Sequence, residues 1–250
     1  MAVKHLLILG GTAEARELAR RVAITIPKKV RVTTSLAGRR AKAPALPGDV
    51  RIGGFGGIDG LVDYINENAV DLVIDATHPF SAIISDHANA AAEATGVPRL
   101  QLLRPLWQLP PTAEWIEVDD LTDAARDLPR FAKRVFLTTG VRGLEAFSGL
   151  DDIWFLVRLM DPPAEPPPLA QLELITGKPP YSFEDERAIL ADHNIDTLVT
   201  KHSGGDGTEA KVFAAAEAGV KIILIRRPPP EPGPVVETVD DAFAWIESQV

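Results

Sequence analysis

Short apolar runs alternate along the chain with Ala-rich stretches whose apolar positions recur at helical spacing. The runs at 3–9, 30–34, 50–52, 72–75 and 99–102 have strand length, and helices are predicted near 12–23, 58–67 and 81–95. Strands that are apolar on successive residues, with helices between them, predict a parallel sheet covered on both faces. The fold class is α/β.

The second half of the chain repeats the first. Asp71-Leu-Val-Ile-Asp, Ala90-Ala-Ala-Glu-Ala94, Arg104-Pro105 and Val118-Asp119-Asp120 find counterparts in Asp196-Thr-Leu-Val, Ala214-Ala-Ala-Glu-Ala218, Arg227-Pro228 and Val239-Asp240-Asp241. Positions 71, 90, 104 and 118 map to 196, 214, 227 and 239, offsets of 125, 124, 123 and 121. Matches that keep their order at nearly half the chain length predict two related domains by internal duplication, since solenoid periods are only ~20–50 residues. The boundary is expected near 127–133, giving domains 1–130 and 131–250. Pro-rich stretches at 162–168 and 228–234 read as extended loops.

Chemistry gathers where strands end. Gly10-Gly11-Thr12-Ala13 follows the first strand and opens a helix, so free N–H groups and the helix dipole suit an anion, with Thr12 as cap or hydroxyl donor. The spacing departs from G-x-G-x-x-G, and a plain strand–turn–helix corner gives the same pattern. After strand two, Thr33-Thr34-Ser35 and the pair Arg39-Arg40 stand where NAD-selective folds carry an acidic residue; hydroxyls and arginines suit a 2′-phosphate, so NADPH/NADP+ is the expected cofactor. Gly53-Gly54-Phe55-Gly56-Gly57 and Thr77-His78-Pro79-Phe80-Ser81 follow strands three and four. In open α/β sheets ligands bind beyond the carboxyl ends of strands, so all four loops share one edge.

The second half carries its own set: Thr139-Gly140-Val141-Arg142, and Lys201-His202-Ser203-Gly204-Gly205-Asp206-Gly207-Thr208 ahead of a helix. A structural turn or a lid loop would look alike.

Composition trims the alternatives. The formal charge of −9 argues against a nucleic-acid partner, and no apolar run reaches membrane-spanning length. There are no cysteines, which excludes disulfides and thiolate chemistry. A cytoplasmic location is expected, as the first residues run into a strand with no leader pattern. The histidines at 5, 78, 87, 193 and 202 are scattered, so no metal site is expected. Tyr64 and Tyr181 are followed at the Tyr-x-x-x-Lys spacing by Asn68 and Asp185, and Gly-x-Ser-x-Gly is absent.

Together the segments Ile8-Leu-Gly-Gly-Thr-Ala-Glu-Ala-Arg16, Thr34-Ser35-Leu36-Ala37-Gly38-Arg39, Gly53-Gly-Phe-Gly-Gly57, Asp75-Ala-Thr-His-Pro-Phe80, Leu103-Arg-Pro105 with Trp107, and Thr200-Lys-His-Ser-Gly-Gly205 make the chain resemble the precorrin-6A reductases of cobalamin biosynthesis over essentially its full length. The family usually has Asn where His202 stands. The resemblance implies two Rossmann-like domains with the active site in the cleft between them, and NADPH-dependent reduction of one macrocycle double bond, precorrin-6A to precorrin-6B. A related branch reduces the cobalt-containing ring and uses NADH; a non-catalytic NADP-binding protein is the reading from another class. The implied partner is a small-molecule tetrapyrrole, with transient contact to neighbouring pathway enzymes.

Carboxylates fringing that ring call for arginine or lysine. Arg104, Arg142, Arg158, Lys178 and Lys201 are the candidates, with Thr139, Gly140, Ser203, Gly204, Gly205, Asp206 and Thr208 beside them. The cofactor set is Gly10, Gly11, Thr12, Ala13, Ser35, Arg39, Arg40, Gly53, Gly54, Phe55, Thr77, His78 and Pro79. His78 and Lys201 are the candidate proton donors, with His202 third, although His78 suits a cap or a cofactor contact equally. Replacing Arg39 and Arg40 with Ala should weaken NADPH binding much more than NADH binding; equal losses in a titration of both would remove the 2′-phosphate assignment.

Overall fold

The computed structural model describes residues 2–38 and 46–250. The chain opens with β1 (Lys4–Leu9), α1 (Ala13–Thr25), β2 (Val30–Leu36), β3 (Asp49–Ile52), α2 (Ile58–Glu67), β4 (Leu72–Asp75), α3 (Ala82–Thr95) and β5 (Arg99–Leu102). β6 (Trp115–Val118), α4 (Leu121–Asp127), β7 (Arg134–Leu137), β8 (Trp154–Leu159), β9 (Leu172–Thr176) and α5 (Phe183–Asp192) follow. The last elements are β10 (Thr197–Lys201), α6 (Ala210–Glu217), β11 (Lys221–Ile225), β12 (Val235–Val236) and α7 (Val239–Ser248). Among the described residues no helix is long and apolar enough to cross a membrane.

Two six-stranded sheets result, ordered β12-β5-β4-β1-β2-β3 and β6-β11-β10-β7-β8-β9. Among the described residues every pairing is parallel. Five strands of each sheet follow the doubly wound 3-2-1-4-5 order, and the sixth place beside the fifth is taken by β12 in the first sheet and by β6, which precedes its partners in the chain, in the second. β1 shows why its sequence is apolar throughout. Leu6 and Ile8 face the cluster that holds Leu18 and Val22 of α1 with Phe243 and Ile246 of α7, while Leu7 and Leu9 face Leu61 and Ile65 of α2. A strand covered on both sides has no polar face to show.

The expected cut near 127–133 does not match the compact units, which are Met1–Pro105 with Pro228–Val250, and Leu106–Arg227. Each half gives its last strand and helix away. β6 pairs with β11 in the second sheet, and β12 pairs with β5 in the first. Periodicity finds a strand but is blind to which sheet receives it. The Val-Asp-Asp match is also shifted: Asp120 caps α4, whereas the residue that caps α7 is Thr238, just before Val239.

The repeated aspartates, by contrast, hold equivalent places. Asp71 Oδ2 accepts the His5 N–H at 2.8 Å, and Asp196 Oδ2 accepts the Arg134 N–H at 2.8 Å. Next to each, a loop carbonyl is taken by the strand residue's side chain: Asn68 O from His5 Nδ1 at 2.9 Å, and His193 O from Arg134 Nε at 2.6 Å. These bonds lock the N-terminal ends of the central strands, opposite the edge that carries the glycine loops.

His5 is buried, with Nε2 2.8 Å from Thr33 Oγ1. Burial lowers its pKa below 6.5, offset in part by the Asn68 carbonyl, with Arg31 lowering it and Asp49 and Asp71 raising it. The unfolded chain therefore takes up this proton more readily than the folded one, so the stabilisation present above about pH 6.5 fades as pH falls. The thermal midpoint should drop between pH 7 and pH 5, and His5→Gln should flatten that slope. An unchanged slope would remove His5 from the acid sensitivity.

Candidate functional site

In the first unit the strand ends are fixed by side chains that the sequence places next to each glycine. Gly10 packs against β2: its N–H donates to Ser35 O at 2.9 Å, and a Cβ there would stand 3.0 Å from Thr34 Cγ2. Gly11 has φ +123, which leads the chain off the strand and into α1. Thr12 caps that helix by accepting the Ala15 N–H at 3.1 Å, and its hydroxyl donates to Ala76 O at 2.7 Å. One side chain thus ties the β1 loop to the β4 loop. Ala13 is the first helical residue.

Beyond β4, buried Asp75 is the anchor. Its Oδ1 accepts from Thr77 N–H at 3.1 Å and from the Thr77 hydroxyl at 2.7 Å. Pro79 and exposed His78 follow; His78 Nδ1 accepts the Phe80 N–H at 3.2 Å, and Ser81 begins α3 without a side-chain capping bond. The Gly53–Gly57 loop is held by Arg51, whose guanidinium donates to Gly53 O at 2.5 Å and Gly54 O at 2.8 Å and lies 3.8 Å over the Phe55 ring. Gly53, Gly56 and Gly57 all have positive φ, so the glycine run has a conformational cause of its own. At Gly11, Gly53, Gly54, Gly56 and Gly57 an added Cβ would meet nothing within 4 Å, leaving the backbone open on this edge.

The hydroxyls after strand two divide. Thr33 is engaged with His5, Thr34 is fully buried, and Ser35 Oγ receives Arg51 Nη1 at 3.4 Å. Of the sequence candidates, Arg39 and Arg40 lie outside the described residues.

The second unit builds its edge differently. Thr139 is buried at the end of β7 with its hydroxyl unpaired, and Gly140 has φ +84. Arg142 is exposed. Lys201, at the end of β10, is half-buried, and burial lowers its amine pKa below 10.5. The loop after it is clasped by Trp107: the indole N–H donates to Gly205 O at 2.8 Å, the ring stacks on His202 with centroids 5.7 Å apart, and Lys211 Nζ lies 4.7 Å from its centre. Lys211 also donates to Thr208 O at 2.6 Å. Ser203 is buried, Gly204 and Gly205 have positive φ, and Asp206–Thr208 form a 3-10 turn before α6.

The model of the family described as Precorrin-6x reductase CbiJ/CobK matches residues 5–247. The chain belongs to the precorrin-6x reductase family. It is 48% identical over 247 residues to the precorrin-6A reductase of Rhodococcus erythropolis, covering 97% of each chain. It is 29% identical over 263 residues to the cobalt-precorrin-6A reductase of Priestia megaterium, covering 98% of each. Among solved structures, the CobK precorrin-6A reductase superposes with a TM-score of 0.92 at 38% identity, covering 99% of this chain and 97% of the other.

Several sequence candidates of this precorrin-6x reductase take other places. Arg158 is buried in β8, its Nη1 2.8 Å from Glu186 Oε1, with its guanidinium 3.8 Å from the Tyr181 ring centre and 5.0 Å from that of Phe136. Its guanidinium is thus already paired with an acid inside the second unit. Lys178 pairs at 3.1 Å with Asp161 on the surface. His202 is buried under Trp107, and burial lowers its pKa below 6.5, offset in part by the Trp107 carbonyl and Glu117. Arg104 lies in the first unit, against Glu14.

Asp75 and Trp107 stood in the quoted motifs without a role, and Arg51 was not singled out at all. The signal for Arg51 was available: a cation next to a glycine run, with an aromatic residue four positions on, can hold loop carbonyls and stack at once. Glu186→Ala should cost about 3–5 kcal/mol by stranding Arg158, whereas Arg158→Met with Glu186→Leu should stay within about 2 kcal/mol of the parent. Chemical denaturation measures both; a mild loss in Glu186→Ala would show that Arg158 is not held by this pair.

Proposed function

We propose that the chain is an NADPH-dependent precorrin-6A reductase that reduces one double bond of the ring to give precorrin-6B. The observation that carries the choice of ring is the spread of identities. Relatives named precorrin-6A reductase match at 39–48% over 97–98% of this chain, and those named cobalt-precorrin-6A reductase at 29–32%. This spread supports the metal-free ring as the substrate.

The first unit suits a dinucleotide. Its sheet has the 3-2-1-4-5-6 order, its β1 loop turns through Gly11 into a helix capped by Thr12, and its glycine loops leave open space above the backbone. Gly10, Gly11, Thr12 and Ala13 would take the phosphates, Gly53–Phe55 and Thr77–Pro79 the flanking groups, and Ser35 with Arg39 and Arg40 the 2′-phosphate. The nicotinamide supplies a hydride when bound. The protein's own task is to position and to supply a proton.

In the second unit Arg142 and Lys201 would receive ring carboxylates, with Thr139, Gly140 and the Ser203–Gly205 backbone donating around them. Lys201 is also the proposed proton donor. Its lowered pKa brings an ammonium group closer to the range in which release is easy. His78 is the second candidate, from an exposed position.

Loss of NADPH absorbance with precorrin-6A, against an NADH control and the cobalt-containing ring, tests the reading as a whole. NADPH turnover on the metal-free ring is expected; turnover on the cobalt ring alone would reverse the assignment. In the same assay Arg142→Ala should raise KM for the ring roughly tenfold with NADPH affinity unchanged, and Lys201→Met should lower kcat more than it changes KM. Parallel loss of both affinities in Arg142→Ala would undo the division between the units.

A further inference from the structure

Glu14 stands in the first turn of α1, where a carboxylate gains from the helix dipole but opposes any phosphate that docks at the same N–H groups. Arg104, 90 residues further on, lies just after β5 and brings its Nη1 to 3.4 Å from Glu14 Oε1 and 3.3 Å from Oε2. The two side chains are 15% and 24% exposed, so their charges are only partly screened by water. With Thr12, Thr77, Pro79 and Leu102 they line a shallow depression on the strand edge. Four of these six residues belong to the loops that form the dinucleotide edge or flank it.

We propose that Arg104 is a positioning residue for the dinucleotide: it neutralises Glu14, so that the first turn of α1 accepts phosphate. The inference rests on the assignment of the dinucleotide to the first unit, and it moves Arg104 away from the substrate carboxylates for which the sequence suggested it. Glu14 is tolerated because its charge is matched, at contacts long enough to be mainly Coulombic and not a tight bidentate clasp. If Arg104 is removed, an uncompensated carboxylate is left within a Debye length of the bound phosphates. If both residues are removed, the local charge balance returns.

NADP+ binding to the full-length protein, measured by calorimetry for four variants, decides the matter. Arg104→Met should weaken binding roughly tenfold at low salt and less at high salt. Arg104→Lys, which keeps the charge and guards against a mere folding defect, should stay near the parent. Glu14→Gln should bind no more weakly than the parent. The double variant Glu14→Gln/Arg104→Met should return to within about twofold of Glu14→Gln, the mark of a coupled pair. Parent-like binding by Arg104→Met would overturn the inference and leave the dinucleotide assignment intact. A double variant as weak as Arg104→Met would overturn it too, since Arg104 would then act on the ligand itself. A parent protein that binds neither NADP+ nor NAD+ would overturn the assignment on which the inference stands.

Discussion

Each sheet is completed by a strand and helix from outside its own half of the chain. A parallel strand at a sheet edge needs a neighbour for its hydrogen bonds and a helix for its face. β5 finds the neighbour in β12, whose Val235 and Val236 pair with Gln101 and Leu102, and α7 then covers the face with Phe243 and Ile246. β11 finds it in β6, through Trp115 to Val118. Neither half can therefore be cut at 130 and keep its core. The segment Pro228–Val250 is as much a part of the first unit as β1 is. Arg99 and Gln101 of β5 hold its approach, by contacts to Pro232 O at 2.6 Å and from Glu231 N at 3.2 Å.

The shared topology makes the differences between the units informative. β1 leads into the 13-residue α1, with a capped N-terminus. β7, its counterpart, leads into a four-residue 3-10 turn at Leu144–Phe147, and the glycine before it, Gly143, lies so close to Leu121 of α4 that a Cβ would sit 2.2 Å from Cδ1. A short 3-10 turn lacks the aligned peptide dipoles that favour an anion at a helix start. The first unit has the feature suited to a dinucleotide phosphate and the second lacks it at the equivalent place, which accords with the proposed division of labour. In its place the second unit has a loop after β10 pinned by one indole ring.

What the sequence made legible follows from what is local. The bounds of α2, β4 and β5 agree with the hydrophobic pattern to the residue, because period and burial coincide there. The exchange of β6 and β12 leaves no local trace, since a strand is apolar whichever sheet it joins. Site residues divide along the same line. Glycines at strand ends and Thr12 as a cap are dictated by their neighbours in sequence. Thr33 looked like a phosphate ligand until His5, 28 residues away, took its hydroxyl. Arg158 was a candidate for a ring carboxylate until Glu186 joined it inside the second unit.

Counting cations in such a chain therefore overstates what a ligand can reach. The formal charge is −9, yet several arginines near the strand edges are already committed. Arg51 holds two loop carbonyls, Arg99 a carbonyl and Asn89, Arg104 a glutamate, and Arg158 a buried one. Their guanidinium groups shape loops and balance acids; they add little field at the surface. On the proposed reading, the anionic groups of the ligand would be met by backbone N–H groups at glycines and a helix start, which carry no formal charge, together with cations such as Arg142 and Lys201. That arrangement favours ligands whose anionic groups match fixed backbone positions over ligands that are merely acidic, because preorganised N–H donors discriminate by geometry where a diffuse positive patch does not.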